Sequence, residues 1–458
     1  MSRLALLSHT DPEAIVARRG GEAISVRRFL ADANHLAAVM PDTAHVIQAC
    51  AGRYHFAVGF AACLISGRVS LLPPSHVAKT LEYLADFAPD AVILCDNQCS
   101  NPVLPVMHFR EFPAASRASG SDVWEIPRIE AEHLAAWVFT SGSTGSPHPH
   151  RKHWGLIKRN VANEARVLGL SAGRPATLVG TVPPQHMYGF ESTVLLAWQS
   201  GAAFDAGRPF FPADIVATLA ASPAPRVLVT TPLHLHAILE SGLKLPSLEL
   251  VVCATAPLSA HLAERAEAAF RAPLLEIYGS TETGQLATRR TCREEAWTLF
   301  PDIRLEQSAG QTWAEGGHIE VRVPLGDIIE PLDGRRFLLK GRQTDLVNIA
   351  GKRSSLGWLN QQLLSIAGVR DGVFYLPECP YGGQDAAVTR LTAFVVAPGL
   401  DSEQLLAGLR ERLDPIFLPR PLIFVDALPR TAVGKLPRAA CEELLDQYYT
   451  SRSAADRT

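Results

Sequence analysis

A chain of 458 residues, 47% apolar and 19% charged, has a globular composition with ample length for a large core, and its length points to two to four domains. A formal charge of only −3 gives no global reason to expect nucleic acid or an anionic membrane as partner, and no apolar run approaches the roughly 20 residues of a membrane helix. The eight cysteines are scattered without a CxxC pair, which argues against zinc and redox chemistry and fits a reduced, cytoplasmic setting.

In chain order, Met1 to Thr10 holds too short an apolar stretch for a signal peptide. Val26 to Met40 predicts a helix, with Phe29, Leu30, Leu36 and Val39 roughly on one face. A strand at His45 to Ala49, a helix at Tyr54 to Ile65 and a buried strand at Ala91 to Cys95 follow. Trp137 to Phe139, Thr177 to Val182, Val227 to Thr230 and Leu250 to Cys253 predict further buried strands. Leu258, Leu262, Ala266 and Phe270 share a helical face. Such alternation predicts an α/β core of mostly parallel strands. From Leu286 to Leu339 the rhythm changes to short strands (Gly317 to Val323, Arg336 to Leu339) with a turn at Asp333-Gly334, which predicts a small β subdomain. Beyond Gly341-Arg342 a new α/β rhythm begins. Helices are expected at Leu356 to Ile366, Ser402 to Leu413 and Arg438 to Tyr448, and strands at Val369 to Tyr375 and Leu391 to Val396. Ser451 to Thr458 is polar and expected to fray.

Three segments carry chemistry. Phe139-Thr140-Ser141-Gly142-Ser143-Thr144-Gly145 runs from a buried strand into a loop of hydroxyls and glycines, with a helix expected near His153. Glycines let backbone N–H groups approach a phosphate, and hydroxyls add donors, although the Walker spacing is absent. Tyr278-Gly279-Ser280-Thr281-Glu282-Thr283-Gly284 again follows an apolar strand. Its Glu282 carboxylate is suited to Mg²⁺, and Tyr278 to stacking on a flat base. Leu428-Pro429-Arg430-Thr431-Ala432-Val433-Gly434-Lys435 places a lysine in a proline-punctuated loop near the C-terminus.

In this order the three segments resemble the adenylate-forming superfamily of acyl- and aryl-CoA synthetases, peptide-synthetase adenylation domains and luciferases. The resemblance spans about residues 20–447. Other segments extend it. Ala254-Thr255-Ala256 resembles the stretch that lines the adenine. Pro183 to Gly189, with His186 in it, resembles the motif that flanks the acyl site. Asp327 after Gly326 resembles the carboxylate that grips the ribose. Gly341 to Asp345 resembles the hinge, with Arg342 near the ribose and either Thr344 or Asp345 as pivot. Ile349 to Arg353 resembles the glycine loop beside the thiol tunnel. The phosphate loop departs from the family pattern, because His148 stands where a lysine is usual; Arg151 or Lys152 is available to substitute.

The resemblance implies an N-terminal adenylation domain over residues 1–342, with its β subdomain at about 286–340, and a small mobile C-terminal α+β domain over 343–458. It implies an AMP-forming ligase. Thr140, Ser141, Gly142, Ser143, Thr144 and Gly145 would hold the β- and γ-phosphates. Ala254, Thr255, Ala256, Tyr278, Gly279, Thr281, Asp327 and Arg342 would hold the rest of ATP. Glu282 would hold Mg²⁺, Lys435 would bridge the carboxylate and the α-phosphate, and His186 would act at the acyl site. A small aromatic acid such as 4-hydroxybenzoate is the expected substrate, because His186, Met187, Tyr188, Phe190, His234 and His236 mix polar groups with apolar walls. His234 and His236 could equally lie on a helix surface. The expected acceptor is the phosphopantetheine arm of an acyl carrier protein, with free CoA as the alternative. A nucleotide-binding protein without catalysis is the alternative of another class. No nucleic acid or membrane insertion is expected.

Overall fold

The computed structural model describes residues 2–97, 103–110, 125–141, 147–171, 173–342, 345–349, 352–377, 391–431, 434 and 436–455. They form a mixed α/β protein with a large N-terminal part and a small C-terminal one. The larger sheet has 11 strands. Its centre is parallel, running from Leu274–Ser280 through Leu250–Cys253, Arg226–Thr230, Thr177–Gly180 and Ala203–Asp205 to Ile15–Arg19. Antiparallel strands flank it. On one side, Gly284–Arg289, Trp297–Leu299, Arg336–Arg342 and Asp327–Pro331 carry it into the β-rich region. A second sheet of six strands runs Pro147–His153, Leu134–Ser141, Val69–Leu72, His45–Gln48, Val92–Cys95, Val106–His108, parallel except for its first pair. Both sheets are thus mixed, with a parallel core and antiparallel strands at their flanks, as expected.

The helices form where the apolar periodicity places them. Val26–Val39 is capped by Ser25, whose hydroxyl accepts from the Arg28 N–H, and it buries Phe29, Leu30, Ala33 and Leu36. Arg53–Ile65 is buried on almost every side, as a helix without a polar face must be. Between these helices and the sheets lies an aromatic core. The Phe190 ring meets Phe60 edge-on at 4.7 Å and Phe56 at 5.7 Å, while Trp198 lies 5.5 Å from Phe29. The C-terminal part has its own core. Asp371–Tyr375, Thr392–Val396 and Leu422–Phe424 form a three-stranded sheet with Leu359, Leu363, Leu405 and Leu409 packed together beside it. Phe394, Ile423 and the Cys441 and Leu445 side chains of helix Arg438–Ala455 form a further cluster.

Three expectations are corrected. The stretch before His153 is not a loop but an edge strand, Pro147–His153, paired with Leu134–Ser141. An edge position tolerates Pro147 and Pro149, which have no N–H to donate. Gly317 to Val323 is not a strand: Gly316 and Gly317 both take positive φ and turn the chain, so the pairing strand is Gln311–Gly316. The last helix runs on to Ala455 instead of fraying at Ser451. No helix among the described residues is long and apolar enough to cross a membrane.

Candidate active site

Four neighbouring parallel strands deliver the expected segments at their carboxyl ends. Leu274–Ser280 leads to Thr281 and Glu282, Leu250–Cys253 to Ala254, Thr255 and Ala256, Arg226–Thr230 to Thr231, and Thr177–Gly180 to the segment holding His186. Open α/β sheets bind ligands at such an edge. Thr255 holds a φ of 82°, an outlier for a β-branched residue, of the kind that clusters at ligand sites.

At one end of the row the Tyr278 hydroxyl donates to the Asp327 carboxylate over 2.7 Å. Asp327 stands opposite Arg342 across the antiparallel pair, so backbone register brings the two expected ribose residues together; the Arg342 side chain lies outside the described residues. Tyr278 is wedged between Trp297 and Phe337, at 5.6 and 5.8 Å. Gly279 is needed where it stands: a Cβ there would meet the Gly284 carbonyl oxygen at 2.3 Å.

At the phosphate end, Gly142, Ser143, Thr144 and Gly145 and the Ser141 side chain lie outside the described residues. Their flanks are informative. The Thr140 hydroxyl is 3.0 Å from His150 Nε2, and the same nitrogen is 3.7 Å from Glu282 Oε1. The Lys152 ammonium donates to the Thr281 carbonyl. Around the Thr281–Glu282 turn, the Ser280 and Thr283 hydroxyls hydrogen-bond at 3.1 Å, and His318 Nε2 lies 3.0 Å from the Thr283 carbonyl oxygen. Burial alone would raise the Glu282 pKa, but the Ser280 hydroxyl, a backbone N–H, His150 and Lys152 outweigh it and hold the carboxyl below its usual range. Burial pulls the Lys152 ammonium below the usual lysine range, opposed by the carboxylates of Glu191, Glu282 and Glu320. His150, Lys152, Glu191, Glu282, Thr283 and His318 line a cavity of about 340 Å³.

At the acyl end, His186 is half-buried and precedes the short helix Met187–Gly189. Tyr188 is a structural tie, not a wall with a free hydroxyl: its O–H reaches the carbonyls of Thr230 and Val252 at 3.2 and 3.0 Å. Phe190 belongs to the aromatic core described above and is fully buried. His234 is only 3% exposed, which rules out the helix-surface reading. Its Nδ1 bonds the Thr231 hydroxyl at 2.9 Å, its ring stands edge-on to Phe210 at 5.1 Å, and burial pushes its pKa down to about 4, with Arg208 adding to the shift. His236 is half-buried and also lowered by burial.

Lys435 lies outside the described residues, as do Gln343, Thr344 and Gly351. Gly434, next to Lys435, has φ 80°, and a Cβ on it would stand 3.6 Å from Leu233 and 3.8 Å from the Thr231 hydroxyl. The Arg430 guanidinium donates to the Gly434 carbonyl at 3.0 Å and to both Asp371 oxygens at 2.7 Å. The C-terminal part thus brings Gly434 against the Thr231 end of the row.

One contributor escaped the sequence reading, and a second was read in another role. Arg53 is fully buried, and donates to the carbonyls of Gly180, Val182, Asp205 and Gly207, pinning the strand end that leads to His186. A lone arginine opening an otherwise apolar helix was its signal. Lys152 was expected only as a substitute for the phosphate-loop lysine, not as a donor to the Thr281 carbonyl. Its signal was the alternation His148, His150, Lys152, which puts three basic side chains on one strand face.

The AMP-binding enzyme family matches residues 5–323, and its C-terminal domain matches residues 379–435. A 4-coumarate–CoA ligase of Rhodobacter capsulatus is 32% identical over 316 residues, covering 68% of this chain and 77% of that protein. A second, from Halorhodospira halophila, is 28% identical over 69% of this chain and 78% of its own length. In fold, the chain is similar to ATP-bound MatB from Rhodopseudomonas palustris, with a TM-score of 0.79 at 20% identity over 96% of this chain and 97% of that one. Sequence and fold thus agree, and the chain belongs to the AMP-binding enzyme family, as an ATP-dependent, AMP-forming acid–thiol ligase.

Proposed function

We propose that the enzyme activates a small aromatic carboxylate, a hydroxybenzoate or hydroxycinnamate, and passes the acyl group to the thiol of CoA. The observation that carries this reading is the row of four strand ends, with the Tyr278–Asp327 pair at one end and His186 and His234 at the other. In this reading Asp327 and Arg342 hold the ribose, Ala254, Thr255, Ala256, Tyr278 and Gly279 the adenine, and residues 140–145 with Thr281 the phosphates. A carboxylate oxygen attacks the α-phosphorus and pyrophosphate leaves. Lys435 stabilises the charge that grows on the transferring oxygens. The thiolate sulfur then attacks the acyl carbon, and AMP leaves with the bonding pair.

Glu282 fits Mg²⁺. It is a single ionised carboxylate, 44% exposed at a strand end, and no group of three or more metal-binding side chains occurs among the described residues. Mg²⁺ takes this arrangement, using one or two carboxylates with substrate phosphates and water. When bound it neutralises phosphate charge.

The aromatic assignment is supported by His234, a neutral imidazole on an apolar wall beside Phe210, which suits a flat ring with a polar substituent. Both named relatives are 4-coumarate–CoA ligases. Those names favour CoA over the carrier-protein arm expected from the sequence. The described cysteines are all free, in keeping with a cytoplasmic setting. Pyrophosphate exchange with 4-hydroxybenzoate, benzoate, coumarate, octanoate and palmitate tests the acid, with an aryl acid expected to lead. Preference for a fatty acid over every aryl acid would refute it. Comparing kcat/KM for CoA and for a phosphopantetheinylated carrier protein decides the acceptor.

A further inference from the structure

His148 occupies the place of the usual phosphate-loop lysine, yet a lysine faces the same way from four residues further on. Successive side chains of a strand point to opposite faces, so His148, His150 and Lys152 share one face of Pro147–His153. That strand is the edge of the six-stranded sheet, whereas Thr281 and Glu282 leave the end of a strand in the 11-stranded sheet. The Lys152 ammonium crosses between them to the Thr281 carbonyl, the peptide unit that leads into Glu282. Glu191, whose carboxyl group accepts from the Asn160 amide at 2.5 Å, lines the same cavity as Lys152. His150 makes a parallel link, touching both the Thr140 hydroxyl and the Glu282 carboxylate. A carbonyl already holding an ammonium is a poor match for a second cation, so the contact sets the direction of the turn rather than offering a ligand.

We propose that Lys152 is a positioning residue for the nucleotide site: donating to the Thr281 carbonyl from the neighbouring sheet, it fixes the turn that presents Glu282 to Mg²⁺–ATP. This rests on the reading of Glu282 given above. Lys152 acts through the geometry of the turn, not by touching a phosphate.

The test is ATP binding in the absence of acid, measured by equilibrium dialysis with labelled ATP across a Mg²⁺ series. Lys152→Met is expected to weaken binding at saturating Mg²⁺ about tenfold, the usual scale for a lost charged hydrogen bond, and to leave metal-free ATP binding within about twofold. Lys152→Arg keeps the charge and a donor, and should restore most of the loss. In the double variant Lys152→Met/Glu282→Gln the loss should not exceed that of Glu282→Gln alone, because both changes remove one interaction. Equal weakening with and without Mg²⁺, or additive losses in the double variant, would overturn the proposal. If Glu282→Gln alone leaves the Mg²⁺ series unchanged, the Glu282 assignment itself fails; if Glu282→Gln shifts it and Lys152→Met does not, only the positioning role fails. Should Lys152→Met not fold, Lys152→Gln against Lys152→Arg reads the same contrast.

Discussion

At the scale of single residues, the two half-reactions separate roles that a single rate would merge. Lys435→Ala is expected to slow pyrophosphate exchange roughly 10²–10³-fold, the usual cost of one preorganised charge. Thioester formation from supplied acyl-AMP should stay close to wild type, since no α-phosphate attack remains to be helped. Equal loss in both steps would refute the assignment. Glu164 offers a test by pH. It is fully buried, and burial raises its pKa from 4.5 to about 7, although the Ser192 hydroxyl and Gln285 amide pull the other way. Between pH 4.5 and 7 the folded protein keeps a proton that the unfolded chain has lost, so stability falls as pH rises through that window and levels off above it. Glu164→Gln cannot ionise, and its stability should fall less by about 3 kcal/mol over the same range, read from urea midpoints at pH 5 and pH 8. Neighbouring Glu191, raised by burial to about 8, continues to titrate in both proteins. The residues at the strand ends were legible in the sequence because they sit in short runs of hydroxyls and glycines. Arg53 was not, because it acts on backbone carbonyls 127 or more residues away, and Lys152 was legible only as a phosphate contact, because its bond to the Thr281 carbonyl spans 129 residues.

Secondary structure was legible wherever apolar periodicity was strong. The helices Val26–Val39 and Arg53–Ile65 begin and end within a residue of expectation. Polar strands were harder to see. Pro147–His153 has no apolar alternation, and only its pairing with Leu134–Ser141 makes it a strand. Likewise the displaced strand in the β-rich region was set by two adjacent positive-φ glycines, which a hydropathy pattern does not register. Gly279→Ala probes an element rather than a contact. The added Cβ would have to push Gly284 and Gln285 away, at 2.3 and 2.9 Å, and with them the hairpin that joins Leu274–Ser280 to Gly284–Arg289. A rise in KM for ATP is expected, with KM for the acid changed far less, in initial-rate measurements. An unaltered KM for ATP would show that the hairpin has no part in holding the nucleotide.

For the molecule as a whole, the sequence announced two α/β rhythms and hence two packed units, but not how the sheets of the larger one meet. The pair Leu134–Ser141 and Pro147–His153 belongs to the six-stranded sheet, and the Thr281–Glu282 turn follows a strand of the 11-stranded one. Described side chains cross between this pair and the turn at Lys152 and His150. A triphosphate held by both would therefore act as a rivet through a seam between two separately hydrogen-bonded plates. Saturation with Mg²⁺–ATP at about 100 times its Kd should add about 2.7 kcal/mol to unfolding. The gain should not be spread evenly: amide exchange should slow along Pro147–His153 and Leu274–Ser280 together, while strands far from the join, such as Val106–His108, keep their rates. Uniform slowing, or protection of one plate alone, would mean that the nucleotide fastens to a single sheet. Where the rivet is absent, the two plates have most freedom to shear at this join, so the empty enzyme is expected to open first along the line its substrate later closes.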